Sequence, residues 1–185
     1  MINDNEFKHI IAPKLYTCPE HLYTKKQFEE HIKLYHIYVN NVNDNRGQSV
    51  GNPYSINGVY LHELFFEQFG SADGAIPFSI QNILNDMGYK DTFQFEEMFV
   101  ALGTALKNKG WVAFILDELT DEFKLVSMNA HDENLPYNCS ILLILDMYEH
   151  AYFMDYGVNK VWYIRNFFKC IDWNVVDKRI RKAIY

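Results

Sequence analysis

Ser140-Ile141-Leu142-Leu143-Ile144-Leu145-Asp146-Met147-Tyr148-Glu149-His150-Ala151-Tyr152 is the stretch on which the reading of this chain turns. Residues 140–146 form a continuous apolar run that ends on a carboxylate, as a strand buried on both faces does. His150 follows Asp146 by four positions. At a strand-to-helix junction both side chains can point at one spot, and a carboxylate beside an imidazole suits a first-row transition metal. The same spacing also fits an aspartate capping a helix, with an incidental histidine on its first turn, and spacing alone leaves the two readings open.

Outward from that junction the chain divides by pattern. Thr24 stands as an N-cap before a helix expected from residue 25 to about 42, with Gln27 at capping-box spacing. Phe28, Ile32, Tyr35 and Val39 repeat at steps of one helical face. The stretch 43–57 holds Asn, Gly, Pro and Ser and reads as a loop. Helices are expected at about 58–69, from Pro77 to near Gly88, and over 92–107. Residues 111–118 and 122–128 are rich in apolar, β-branched and aromatic side chains across a short polar turn, which reads as a hairpin. Helices over 147–157, 160–171 and 174–183 close the chain. The order predicts a helical N-terminal half against a small α+β C-terminal half.

Composition narrows the function. Of 185 residues, 49% are hydrophobic and 16% aromatic, enough to bury a sizeable core. The formal net charge is −7 and the basic residues are scattered, so no nucleic-acid footprint is present. The one basic group, Lys178, Arg179, Arg181 and Lys182, reads as the solvated end of a last helix. Cys18, Cys139 and Cys170 are odd in number and lack C-x-x-C spacing, which argues against a disulfide framework or zinc–thiolate site and fits a reducing compartment. The opening Met1-Ile2-Asn3-Asp4-Asn5-Glu6 does not read as a signal peptide, and no stretch approaches the ~18 apolar residues of a membrane helix. A soluble cytoplasmic protein without membrane contact is expected.

Seven histidines are spread along the chain: His9, His21, His31, His36, His62, His131 and His150. A lone helical histidine is ordinarily structural or solvated, so local context has to select among them. The context is telling. Asp-x-x-Glu-His-Ala-Tyr at 146–152 is similar to the Asp-x-Trp-Glu-His-Ala-Tyr signature of iron/manganese superoxide dismutases. The likeness continues through Tyr163-Ile164-Arg165-Asn166-Phe167-Phe168 to Asp172-Trp173. It extends backwards through Asn129-Ala130-His131-Asp132, Gly110-Trp111, His62-Glu63-Leu64-Phe65-Phe66, Tyr38-Val39-Asn40-Asn41 and the entry to the helix carrying His31. It covers nearly the whole chain in the family's order.

The resemblance implies a fold and a site. The fold is α+β: an N-terminal helical hairpin domain, 1–88, packed on a C-terminal α/β domain, 89–185, with a small three-stranded antiparallel sheet. The site holds one Mn or Fe ion on His31, His62, Asp146 and His150, with a further position open. Nitrogen and oxygen donors without thiolate suit those metals. Tyr38 would be the gateway tyrosine; seven helical residues advance ~700°, which keeps it on the face of His31. His131 would stand where the family usually has glutamine, acting with Tyr38 in catalysis. Gly58, at the family's other glutamine position, would leave room for it, and Trp111 would remain of the aromatic shell. Glu149 would bridge a homodimer by accepting from the partner's ligating histidine. The activity implied is superoxide dismutation; the alternative is the same fold turned to another oxidative reaction or to partner binding.

Departures from the family are also legible. The step from His31 to Tyr38 is one residue shorter. Leu34 and Tyr35 occupy the turn where a second histidine is usual, and Phe153 replaces the tyrosine that meets it, so both members of that bond are lost together. Phe66, Ala113 and Tyr148 stand where tryptophans are usual, and Asn159-Lys160 replaces paired arginines. The interval between His31 and His62 is much shorter than the family's first helical hairpin, which argues against a tetramer built on it. Lys33 is the lysine expected to help capture a small anion.

Overall fold

The computed structural model describes residues 11–46, 48, 50–70 and 75–184. His9 and the opening residues read for a signal peptide lie outside the described residues. Helices α1 (Lys25–Asp44), α2 (Pro53–Glu67), α3 (Phe78–Asp86) and α4 (Thr92–Ala105) precede strands β1 (Trp111–Asp117), β2 (Glu122–Met128) and β3 (Cys139–Asp146). Helices α5 (Glu149–Tyr156), α6 (Lys160–Lys169) and α7 (Trp173–Ile184) follow. The architecture is α+β, helical first and then mixed, and among the described residues no helix is long and apolar enough to cross a membrane.

The sheet runs β2-β1-β3 and is antiparallel throughout. Central β1 is buried along nearly its whole length, which is why it and β3 are continuous apolar runs rather than alternating ones. Trp111 pairs with Met128 on one side and with Asp146 on the other. One end of the sheet therefore brings together a tryptophan, the residue that leads into the 129–131 segment, and the carboxylate. Gly110 is obligatory there: its φ is +130° and a Cβ would lie 2.3 Å from the Met128 carbonyl.

Buried glutamines anchor the helices around that end. Gln68, just past α2, pairs with the Ile144 backbone in both directions, Nε2–H to O at 2.5 Å and N–H to Oε1 at 3.0 Å. Gln27 in α1 donates to the His150 carbonyl at 2.6 Å and accepts from the Met154 amide at 3.1 Å, fixing α1 against α5. The expected capping box is therefore only half formed. Thr24 accepts from the Gln27 amide, but the Gln27 side chain serves α5 and Asp155 accepts from the Thr24 amide and hydroxyl instead.

Two expectations are corrected. The stretch 43–57 is not all loop: α2 begins at Pro53, with the Asn52 side chain capping the Ser55 amide at 3.2 Å. Proline at the first helical position gives up no hydrogen bond, so Asn-Pro starts a helix here rather than a turn. The basic group on α7 is not uniformly solvated. Arg179 lies inward and donates to the carbonyls of Leu64 and Leu142 at 2.8 and 3.3 Å, tying the end of α2 to β3.

Candidate metal centre

Four elements each deliver one donor to a single buried point. His31 comes from α1, His62 from α2, Asp146 from the last residue of β3 and His150 from the first turn of α5. Their donor atoms all lie within 4.8 Å of one another. Asp146 Oδ2 is the hub, at 3.2 Å from His31 Nε2, 3.3 Å from His150 Nε2 and 3.6 Å from His62 Nε2. His31, His62 and Asp146 are wholly buried; His150 keeps one edge toward the surface.

On His62 and Asp146 the atoms facing away from that point are already committed, whereas His31 Nδ1 is buried with no partner among the described residues. His62 Nδ1–H donates to the Gly58 carbonyl, one turn back on α2, at 2.7 Å. Its Nε2 must then be a lone pair, and it is buried with no hydrogen-bond partner among the described residues. Asp146 Oδ1 accepts from the Tyr148 amide at 2.8 Å, leaving Oδ2 for the centre. A buried lone pair without a donor is costly, and a cation bound between these four groups would remove the cost. Three imidazoles and a carboxylate suit manganese or iron.

Electrostatics favour the ligand-competent forms. Burial lowers the proton affinity of His31 below the ordinary imidazole value, though Asp146 pulls the other way, and it lowers that of His62 much further. Burial alone would raise the Asp146 carboxyl, but His150 and His31 outweigh it and hold it well below the usual range. His31 and His62 are thus neutral imidazoles beside an ionised carboxylate at neutral pH.

Beside the four donors stands His131, held from three sides. The Trp111 indole N–H donates to His131 Nδ1 at 3.1 Å, and His131 Nε2 lies 3.2 Å from the Tyr38 hydroxyl. Asn57 fixes the backbone by donating to the His131 carbonyl at 2.7 Å. An indole can only donate, so the neutral ring carries its proton on Nε2, facing Tyr38. Burial pushes the ring's pKa down to about 4, consistent with a neutral state. Tyr148 stacks on it at 4.8 Å and also on His150 at 5.1 Å.

Tyr38 reaches the site as the helical arithmetic predicts, 5.3 Å ring to ring from His62 and 5.1 Å from His131. Gly58 does not leave room for His131, as the sequence suggested. The space is taken by Tyr38, whose ring carbons would lie 3.0–3.1 Å from a Cβ at Gly58. Phe66 packs edge-on to His31 at 4.9 Å. Tyr35 turns away, donating to Glu63 at 2.8 Å while accepting from the Lys14 amide. Lys33 lies exposed on α1 and pairs with Glu30 at 2.7 Å. Glu149 and Phe153 sit at the surface next to His150.

Sequence reasoning missed Tyr54, whose ring lies 4.5 Å from that of His131 and 6.0 Å from that of Tyr38. Its signal was present. Tyr54, Gly58 and His62 are spaced four apart, on one helical face, but the loop reading of 43–57 hid it. Asn57 was lost for the same reason.

Comparison with known proteins agrees with this geometry. Residues 80–179 match the family model "Iron/manganese superoxide dismutases, C-terminal domain". The superoxide dismutase [Fe] of Aquifex aeolicus is 28% identical over 203 aligned positions, covering 95% of this chain and 93% of the relative. The superoxide dismutase [Fe] of Saccharolobus solfataricus is 25% identical over 144 residues, 76% of this chain and 68% of the relative. The superoxide dismutase [Mn] 2 of Halobacterium salinarum is 31% identical over 121 residues, but the match spans only 58% of that relative and 64% of this chain.

Proposed function

The chain belongs to the iron/manganese superoxide dismutase family, and from that premise we propose that it disproportionates superoxide to oxygen and hydrogen peroxide. The observation that carries the proposal is the convergence of His31, His62, Asp146 and His150, one donor atom each, within 4.8 Å. We assign these four as the ligands of one Mn or Fe ion. When bound, such an ion supplies one-electron exchange between its +3 and +2 states. The chain's own part is charge, position and protons. The Asp146 carboxylate offsets part of the ion's charge, and the carbonyl of Gly58 keeps His62 Nε2 unprotonated. Disproportionation consumes two protons for every two superoxide ions, so the open side needs a proton donor. His131 Nε2–H holds the Tyr38 oxygen, which leaves the Tyr38 proton free to be given elsewhere. Trp111, Phe66 and Tyr148 keep bulk water away from this corner.

The working form is a homodimer. Glu149 and His150 lie at one surface with half-exposed Phe153 and Met154 beside them, and a two-fold axis there would let each Glu149 accept from the partner's His150. Residues 1–88 and 89–185 are the two domains of this reading, and the cytoplasm is its compartment.

The test is direct. Protein loaded with manganese or iron removes superoxide in stopped flow, while His62→Ala and Asp146→Ala lose both metal and turnover. Full metal content with negligible turnover would overturn the dismutase and favour the fold's use in another oxidative reaction or in partner binding, a reading that the unusual Leu34-Tyr35 turn supports. Full metal content in both alanine variants would overturn the ligand assignment.

A further inference from the structure

Tyr38 and Tyr148 are each only 8% exposed, so neither hydroxyl exchanges protons freely with bulk water. A site that consumes protons at Tyr38 needs a connection outward. His131 cannot provide it. Its Nδ1 is filled by the Trp111 N–H, which has no second proton to pass, and its Nε2 faces Tyr38 itself.

Tyr54 stands at the remaining opening. It is one helical turn before Gly58 on α2 and half-buried, the outermost of the three phenols. Its ring meets His131 edge to face at 4.5 Å and 73°, and meets Tyr38 at 6.0 Å and 64°. A second observation points to the same corner. The Tyr148 hydroxyl is buried with no hydrogen-bond partner among the described residues, and its ring stacks at 4.8 Å on His131, the same ring that Tyr54 meets. A buried hydroxyl needs a partner, so this corner is built to hold a hydrogen-bonded chain rather than apolar contacts.

We propose that Tyr54 is the outer member of a proton relay, passing protons from bulk water to Tyr38 while His131 holds Tyr38 in register. In each passage Tyr54 takes one proton from water and gives its own to Tyr38, and Tyr38 gives its own to the anion reacting at the open side. One O–H bond forms and one breaks at each oxygen, and both phenols are neutral before and after. Tyr54 is a positioning residue in this path, acting through Tyr38. The use of the relay in turnover rests on the dismutase reading; the relay itself does not, and it can be read without redox chemistry.

The experiment follows the His131 ring N–H by nitrogen-15 NMR in the full chain, metal-free and again loaded with diamagnetic zinc. Through Tyr38 and Tyr54 this proton exchanges with water. Tyr54→Phe removes one oxygen and keeps the ring, and should slow the exchange at least tenfold, while Tyr54→His should restore part of the loss. Manganese-loaded Tyr54→Phe should keep its metal and turn over about tenfold more slowly at saturating superoxide. Exchange in Tyr54→Phe within twofold of the unsubstituted chain would overturn the relay. A check needs no substitution. The Trp111 indole N–H is equally buried, so the His131 proton should be at least tenfold less protected, each against its intrinsic rate; equal protection would also overturn the relay. Because exchange is read without metal turnover, failure of the ligand assignment appears as metal content in His62→Ala and is distinct from failure of the relay.

Discussion

The Trp111 indole donates to His131 Nδ1 at 3.1 Å, and this single bond decides which nitrogen of His131 faces Tyr38. Trp111 and His131 lie on adjacent segments only because Trp111 pairs with Met128, three residues before His131. Removing the indole should release the tautomer. Trp111→Phe is expected to retain the metal, since no ligand is touched, and to lose about tenfold or more in turnover, in the range of a misplaced proton-transfer group. Nitrogen-15 shifts of His131 should show mixed tautomers. A single unchanged tautomer would contradict the role given to the bond.

Acid should destabilise the protein through its buried imidazoles. In the folded chain burial places His31 and His62 below the ordinary value of 6.5 and His131 at about 4. The unfolded chain therefore binds more protons below pH 6.5, and stability falls as pH drops from 6.5 toward 4. Each histidine contributes at most about 1.4 kcal/mol per pH unit. Asp146, ordinarily near 3.8 and lower when folded, is ionised in both states across most of this window and adds little. Urea midpoints of metal-free protein at pH 7.5, 5.5 and 4.5 should fall in that order, and loaded protein should release metal over the same range, because protons compete for Nε2. A flat profile would show that these rings are not buried as neutral groups.

Gly58→Ala tests the close approach of α2 to α1. The added Cβ would lie 3.0 Å from the Tyr38 ring, tighter than ordinary contact, with the ring backed by His62 and His131. Overpacking of this kind costs about 1–3 kcal/mol. The alanine's better helix propensity returns about 1 kcal/mol at most. A net lower urea midpoint is expected, with metal content kept and turnover reduced as Tyr38 is pushed from His131. A more stable variant with full activity would mean that Tyr38 has freedom the packing does not suggest.

For the dimer, sedimentation at micromolar protein should give twice the chain mass of 21.9 kDa. Glu149→Ala should shift the species toward monomer and weaken metal retention, because the His150 ring loses the acceptor that orients it. A monomeric mass with metal fully bound would remove Glu149 from the centre.

Much of this protein was determined by local chemistry and could be read directly. The apolar run 140–146 had to be a strand covered on its faces, and the helix expected from 147 begins just beyond its terminal Asp146. Gly110-Trp111 and the 111–128 hairpin followed from residue types that favour a pleated, buried surface. The spacing of His31 and Tyr38 obeys helix geometry, and α1 places both toward His62. What the sequence obscured was the start of α2. Asn52-Pro53 carries loop residues, and only the Asn52 cap shows that proline there opens a helix and brings Tyr54 and Asn57 to His131. Tertiary structure also decided the partners of side chains with more than one local option. Gln27 had a capping box available and instead binds α5; Arg179 looked solvated and instead binds buried carbonyls; Lys33 looked free and instead pairs with Glu30. Periodicity and propensity act over a few residues and fix elements. A long polar side chain takes the strongest partner within reach, and that partner exists only once distant elements have packed together.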